Sequence, residues 1–416
     1  MKNTTTYKKV ASHEAIKGEF DKCLLLYSGG LDTSMMLKWI QEEYNCKVIA
    51  LTIDIWQTAD DLEAIKQKAI NLWALDAVVL DAKDEFADLL LSKAIKANAD
   101  YQWWYALSTP LGRVIIAEKA VLIAEKYNCS VIAHGCTWKW NDQVRFEWYI
   151  TTLNPKMKTI APVREWSMWR DEQIEYAEKN WIPVKQKKDK PYSYDENMWW
   201  NTWEWWEIEN PELTPKFSNI LQWCKTIEEA QNEAEEITIW FEKWIPTSLN
   251  WKKEKLSTLI MELNKLWANH GIWVFPLIED RLVWLKVRGV YENPAATILI
   301  KAHKNLEQLV STREENELKT FIDTKWSYLT YAAKWYDPVM KNIISYIDSQ
   351  NEKVTWIVTV KLYKWNVIVA NLNSKYSLFD ANLATFNKCM SFNQNSSAWF
   401  IEIYNLAQKT AYNVMK

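Results

Sequence analysis

Residues 22–54 constrain the fold of this chain more than any other stretch. A strand over 23–27 runs into a glycine turn, a helix over 32–44 and a second strand over 47–54. Strand, helix and strand in that succession make a βαβ unit with parallel strands. The alternation continues with a helix over 60–72, a strand over 77–80, helices over 84–98 and 111–127, and strands over 130–134 and 159–161. Such a pattern predicts an α/β fold with a doubly wound parallel sheet whose ligand lies at the carboxyl ends of the strands. A polar leader over 1–20 precedes it. From about residue 185 the texture changes to mixed strands and helices with hairpin signals, which predicts a second, α+β domain over 185–380. Its amphipathic helical stretches lie at 255–266, 306–324 and 339–349, with paired strands over 354–371. Residues 381–416 read as a helical extension that packs on another subunit.

The composition narrows the partners. Of 416 residues 49% are hydrophobic and 25% charged, and 50 basic residues face 53 acidic ones, so no electrostatic footprint for nucleic acid is present. Six cysteines form no C-x-x-C pair, and only four histidines could join them as metal ligands. A reduced, cytoplasmic chain without structural metal is expected. No signal peptide is evident, and no stretch reaches the roughly 18 apolar residues of a spanning helix, so no membrane partner is expected.

Two counts are abnormal. The chain has 28 Trp and 7 Gly, whereas a chain of this length ordinarily has about 29 glycines and few tryptophans. Trp365 falls in the hairpin turn 364–366, where positive φ is needed. Trp181 follows a charged helix at the position that glycine usually takes, and Trp73 repeats the pattern. The paired indoles at 205 and 206 sit in a polar stretch. We read most of these tryptophans as glycines in the cell, from a gene whose UGA codons mean Gly.

The strongest local signal is Tyr27-Ser28-Gly29-Gly30-Leu31-Asp32-Thr33-Ser34, between the first strand and helix. Its glycines let backbone approach a phosphate, and its hydroxyls and helix N-terminus can donate to one. The G-x-x-x-x-G-K-[ST] spacing of kinases is absent. Alone, SGG would fit an ordinary capped turn, but the full SGGLDTS string resembles the PP-loop of ATP pyrophosphatases, which cleave ATP between its α and β phosphates.

A second constellation follows a later strand: His134-Gly135-Cys136-Thr137-Trp138-Lys139-Trp140-Asn141-Asp142-Gln143-Val144-Arg145. With IAPVREWSMW, YSYDENMWWNTWEWWEIENP, LNKLWANHGIW and EDRLVWLKVRGVYENPAATIL, it resembles the argininosuccinate synthase family from about Lys22 nearly to the C-terminus. In most of these stretches the family carries glycine where this chain has Trp. Trp39, Trp166, Trp199 and Trp335 fall where the family accepts Trp.

The resemblance implies a PP-loop, HUP-like nucleotide domain, a synthetase and multimerisation domain, and a tail that joins a homotetramer. It implies a ligase that adenylates citrulline with MgATP, releases pyrophosphate, and lets aspartate displace AMP, without a permanently bound cofactor. Carried over by motif, Leu26 to Ser34, Ile53 and Gly135 would hold ATP. Thr137, Asn141 and Asp142 would hold aspartate. Tyr105, Asn141, Arg145, Ser193, Thr202, Glu279 and Tyr291 would hold citrulline. Asp32, Ser34, Asp142 and Arg145 are the candidate catalytic groups. Asp142 can accept from the substrate ammonium, Arg145 can pair with the citrulline carboxylate, and Glu279 can take its ammonium or ureido groups.

Two positions depart from the family. Thr202 replaces serine, and Pro110 stands where a small residue usually flanks citrulline, so Pro110 is left out of the site. Indoles at 138 and 140 are expected to crowd the loop between ATP and aspartate. Other PP-loop adenylating enzymes, of tRNA-modifying, NAD or GMP synthetase type, and an inactive homologue are the alternatives. The charge balance, the scattered cysteines and the retained SGGLDTS, Arg145 and Glu279 weigh against them.

Overall fold

A computed structural model of the chain describes residues 7–57, 61–166, 168, 170–183, 193–204, 206–271, 274–384 and 392–416. Strands β1 (Lys22–Leu26), β2 (Lys47–Asp54), β3 (Asp76–Asp81), β4 (Val131–Ala133) and β5 (Lys158–Ile160) form one parallel sheet in the order β3-β2-β1-β4-β5. β1 and β2 are nearly continuous apolar runs, as strands covered by helices on both faces require. The winding reverses between β1 and β4. Their carboxyl ends open side by side there, at the crevice where such sheets bind ligands.

The second half begins with β6 (Ser193–Asn197) and β7 (Trp200–Glu204), continues through β8 (Glu235–Glu242), β9 (Ile245–Leu249) and β10 (Lys252–Lys253), then β11 (Val274–Asp280) and β12 (Lys286–Glu292), and ends with β13 (Trp356–Tyr363) and β14 (Asn366–Asn373). These make two further sheets, β10-β9-β8-β13-β14 and β11-β12-β7-β6, whose pairs are all antiparallel. The α/β class is as expected. Helices Ser396–Tyr404 and Leu406–Met415 close the chain without burying a residue.

Two expected helices differ in detail. The stretch 306–324 is not one helix. Pro294–Val310 ends there, and Arg313–Tyr331 starts after Thr312, whose Oγ1 accepts from Glu315 N at 3.3 Å while Glu315 Oε2 accepts from Thr312 N at 2.7 Å. That reciprocal cap starts a new helix where periodicity alone reads one. The helix over 84–98 starts at Lys83 and contains a π turn, Ala87–Leu91.

The halves are joined by a buried polar cluster. Asn98 donates to Glu307 Oε2 at 2.7 Å and to Asp323 Oδ2 at 2.9 Å, and its Oδ1 lies 2.8 Å from His303 Nδ1. Lys319 lies 3.1 Å from Glu307 and 2.6 Å from Asp323, and donates to Lys96 O at 2.8 Å. Burial lowers the His303 imidazole to about 4, so it is neutral at pH 7.

A second charged knot ties the helix Asn141–Leu153 to the N-terminal segment. Glu147 meets His13 at 2.6 Å, His134 at 3.0 Å and Arg164 at 2.6 Å. Burial alone would raise the Glu147 carboxyl, but hydrogen bonding and charge from His134, with the charge of Arg164, hold it at about 2. A depressed carboxylate stabilises fully above its ordinary pKa of 4.5 and loses that contribution as pH falls towards 2. Glu147→Gln is therefore expected to cost about 3 kcal/mol at pH 7. Its stability should also vary less with pH between 4.5 and 2 than that of the parent, as read by urea unfolding at several pH values.

Candidate active site

The turn after β1 is shaped by Gly29, whose φ is +74° and where a Cβ would come within 2.8 Å of the Ile65 side chain. Only glycine fits both the conformation and the space. Lys68 donates to Gly29 O at 2.8 Å, and Ser34 Oγ donates to Gly30 O at 2.7 Å and lies 3.1 Å from Tyr27 OH. Ser28 and Thr33 hydroxyls are 3.1 Å apart. The helix Leu31–Tyr44 that follows has no side-chain cap, so its first-turn amides face the crevice as donors for an anion. These residues fit a pyrophosphate. Leu26 ends β1. Ile53 is buried within β2 opposite Leu80.

Gly135, after β4, lies against this turn: a Cβ there would approach Met36 Cε at 2.6 Å and Thr33 Cγ2 at 3.9 Å. The loop continues through Thr137, whose carbonyl accepts from Trp140 N at 3.3 Å. The expected crowding by indoles is modest, because Trp138 turns outward, half exposed and edge-on to Tyr7, and Trp140 lies beneath the Arg281 guanidinium at 4.6 Å.

The next helix presents Asn141, Asp142 and Arg145. Asn141 is held at both ends by the second half: its Nδ2 donates to Tyr331 OH at 2.7 Å and its Oδ1 accepts from Leu282 N at 2.7 Å. Asp142 accepts from Arg145 Nη1 at 2.8 Å and Arg113 Nε at 3.0 Å, and Arg113 reaches Asp195 Oδ2 at 2.6 Å. Arg145 also donates to Tyr331 O at 3.3 and 3.2 Å. Burial opposes ionisation of Asp142, yet Arg113 and Arg145 hold its carboxyl below the usual range.

The facing wall is the sheet β11-β12-β7-β6. Its register places Asp195 opposite Thr202, Thr202 opposite Tyr291 and Tyr291 opposite Phe275, so these side chains share one face. Ser193 opens β6 opposite Glu204. Thr202 Oγ1 is buried and, among the described residues, has no hydrogen-bond partner. Such an orphan fits a polar ligand. Glu279 lies 3.2 Å from Tyr331 OH and 3.5 Å from Arg281 Nε; burial raises its carboxyl despite Arg145 and Arg281. Tyr105 packs edge-on to Tyr331 and tilted against Tyr291.

Arg113, Asp195, Arg281 and Tyr331 were not expected from the sequence. Asp195 stands inside the YSYDEN motif and carried a signal. Arg113 and Tyr331 lie inside helices Ser108–Lys126 and Arg313–Tyr331 and carried none. Pro110 lies in the first turn of the former helix, where its missing N–H breaks no helical bond.

Residues 22–183 match the arginosuccinate synthase N-terminal HUP domain, and residues 192–411 match the arginosuccinate synthase C-terminal domain. Argininosuccinate synthase of Pyrococcus furiosus is 44% identical over 394 residues, 95% of each chain. That of Clostridium perfringens is 42% identical over 93% of this chain and 96% of its own, and that of Picrophilus torridus 44% over 92% and 95%. With a parallel-sheet domain, an antiparallel partner, both family domains matched and relatives above 40% identical over more than nine-tenths of both chains, this chain belongs to the argininosuccinate synthase family.

Proposed function

We propose that the chain ligates L-citrulline to L-aspartate at the expense of ATP, forming argininosuccinate, AMP and pyrophosphate through a citrullyl-adenylate. The observation that supports this reading is Asn141, clamped by the second half at both ends, at the head of the helix that bears the ion-paired Asp142 and Arg145. The ureido oxygen attacks the α-phosphorus and pyrophosphate leaves; the aspartate amine then attacks the activated carbon and AMP leaves. Mg²⁺ enters with the nucleotide and offsets phosphate charge. The protein supplies position and charge rather than a nucleophile. The Gly29–Ser34 turn cradles the phosphates. Arg145 takes the citrulline carboxylate, Glu279 and Thr202 its polar groups, and Thr137, Asn141 and Asp142 the aspartate.

Assembly as a homotetramer is part of this reading. Trp399, Phe400, Ile401, Ile403 and Tyr404 of the terminal helices are all exposed, an apolar set that suits contact between subunits. Cytoplasmic residence agrees with the free state of Cys23, Cys46, Cys129, Cys136 and Cys224.

The test is pyrophosphate release by enzyme purified from its native source, with citrulline and aspartate each supplied or withheld. Release that needs citrulline, and argininosuccinate that appears only with aspartate, is expected; release indifferent to citrulline would reject the reading. Gly29→Ala should weaken ATP about 10-fold or more, since an L side chain strains the left-handed turn by roughly 1–2 kcal/mol. Calorimetric titration with ATP alone measures this.

A further inference from the structure

Among the described residues, nineteen other than glycine have positive φ, and ten of these are Trp, against four Asn. Indole is among the least suited side chains for that region, because its Cβ and ring meet the backbone; Asn tolerates it. Five of the ten fall in turn or helix-end motifs that specify glycine. Three successive hairpins of the sheet β10-β9-β8-β13-β14 turn on two residues each, Lys243-Trp244, Asn250-Trp251 and Lys364-Trp365, with φ of 45° and 70°, 47° and 71°, and 39° and 65°. Two left-handed residues in succession define a type I′ turn, whose favoured pair is Asn-Gly. In all three the second residue is Trp.

Two helices end likewise. Trp73 N donates to Ile70 O and Ala74 N to Ala69 O; Trp181 N donates to Glu178 O and Ile182 N to Ala177 O. These are Schellman endings with Trp at the left-handed position. Asn98 and Asn128 close other helices by the same bonds. Trp181 is 90% exposed and Trp284, with φ 65°, is 96% exposed, so neither ring gains from burial. At Trp104 and Trp356 φ reaches 131° and 126°, and Trp56 and Trp103 complete the set.

An eleventh tryptophan occupies the site itself. Trp200 precedes Thr202 by two residues on β7 and so shares its face. Its buried indole stands edge-on to Tyr105 at 5.1 Å and to Tyr291 at 4.7 Å, between two residues assigned above to citrulline. Among the described residues its Nε1 has no hydrogen-bond partner. An indole here fills the volume that the substrate would take, whereas glycine in a strand marks close approach of a ligand. By contrast, Trp199, Trp203 and Trp223 donate from Nε1 to Ala106 O, Glu292 and Glu196 at 3.0, 2.7 and 2.9 Å. They are integrated as tryptophans.

We propose that the working enzyme carries glycine at 56, 73, 103, 104, 181, 200, 244, 251, 284, 356 and 365, and that glycine at 200 opens the citrulline pocket which Trp200 fills. One residue type replaced by one other at unrelated turns has a codon-level cause, a codon read as glycine in the cell and as tryptophan in the written chain. The pocket statement rests on the proposed function; the ten turn positions do not.

Peptide mass spectrometry of the protein from its native source decides the assignment. Glycine is expected at the eleven positions and tryptophan at 199, 203 and 223; tryptophan at 244, 251 and 365 would overturn it. A recombinant chain with the eleven glycines should melt roughly 10 °C or more above the written chain, because many strained turns relax together; an unchanged or lower midpoint would count against it. Restoring Trp at 200 alone in that glycine chain should lower citrulline-dependent pyrophosphate release about 100-fold, and equal release would refute the pocket statement. Glycine peptides and a raised midpoint, with no citrulline-dependent release, would support the turn assignments while rejecting the activity.

Discussion

Asp142→Ala is expected to reduce citrulline-dependent pyrophosphate release at least about 100-fold and to destabilise the fold by roughly 3–5 kcal/mol, the cost of stripping the partner from a buried charge. Arg113 and Arg145 both lean on this carboxylate, at 3.0 and 2.8 Å. Without it Arg113 keeps Asp195, while Arg145 keeps the carbonyl and ring of Tyr331 and no directly paired carboxylate among the described residues. Asp142→Asn preserves an acceptor, so it should regain part of the stability but little of the rate. Steady-state assays beside urea titrations separate the two effects. Equal recovery of both would show that Asp142 serves the fold alone. Because the Asp142 pKa lies below its ordinary value, its stabilisation persists above about 3.8 and is lost only as pH falls further.

The second large effect lies away from the site. Lys319→Met leaves Glu307 and Asp323 buried without their cation, and a loss of about 3–5 kcal/mol is expected. Burial already raises Asp323 to about 7 against the pull of Lys319. A carboxyl raised in the folded state weakens the fold as pH rises through that value, so the variant should lose more stability at pH 8.5 than at pH 6. Lys319→Met with Asp323→Asn should restore part of it. Chemical unfolding at the two pH values is the measurement, and a loss independent of pH would assign Lys319 a packing role.

What the sequence disclosed followed from how local each signal was. The strand and helix periods of 22–54 sit in consecutive residues, so β1, β2 and the intervening helix emerged within a residue or so. The break between Val310 and Arg313 was written in Thr312 and Glu315, but continued apolar periodicity on both sides concealed it. In the site, motif resemblance named residues without showing what holds them. Tyr331 acts through its carbonyl as much as its hydroxyl, and a backbone acceptor leaves no mark on residue choice. Arg113 looked like any cation in a long helix until the fold set it between Asp142 and Asp195. Trp73, Trp181 and Trp365 were legible because turns state their backbone needs locally. Trp200 was not, since its neighbours Tyr105 and Tyr291 are distant in sequence.

The row Asp195, Arg113, Asp142, Arg145 alternates in sign and sums to zero. Every guanidinium in it is therefore already satisfied before a substrate arrives. On the proposed reading, an α-carboxylate would gain Arg145 only as Asp142 or the Tyr331 carbonyl lets go, and an ammonium would gain Asp142 on the same terms. Ligand capture would then be a swap of equivalent contacts instead of the filling of vacant ones, and the row could reclose behind a departing product.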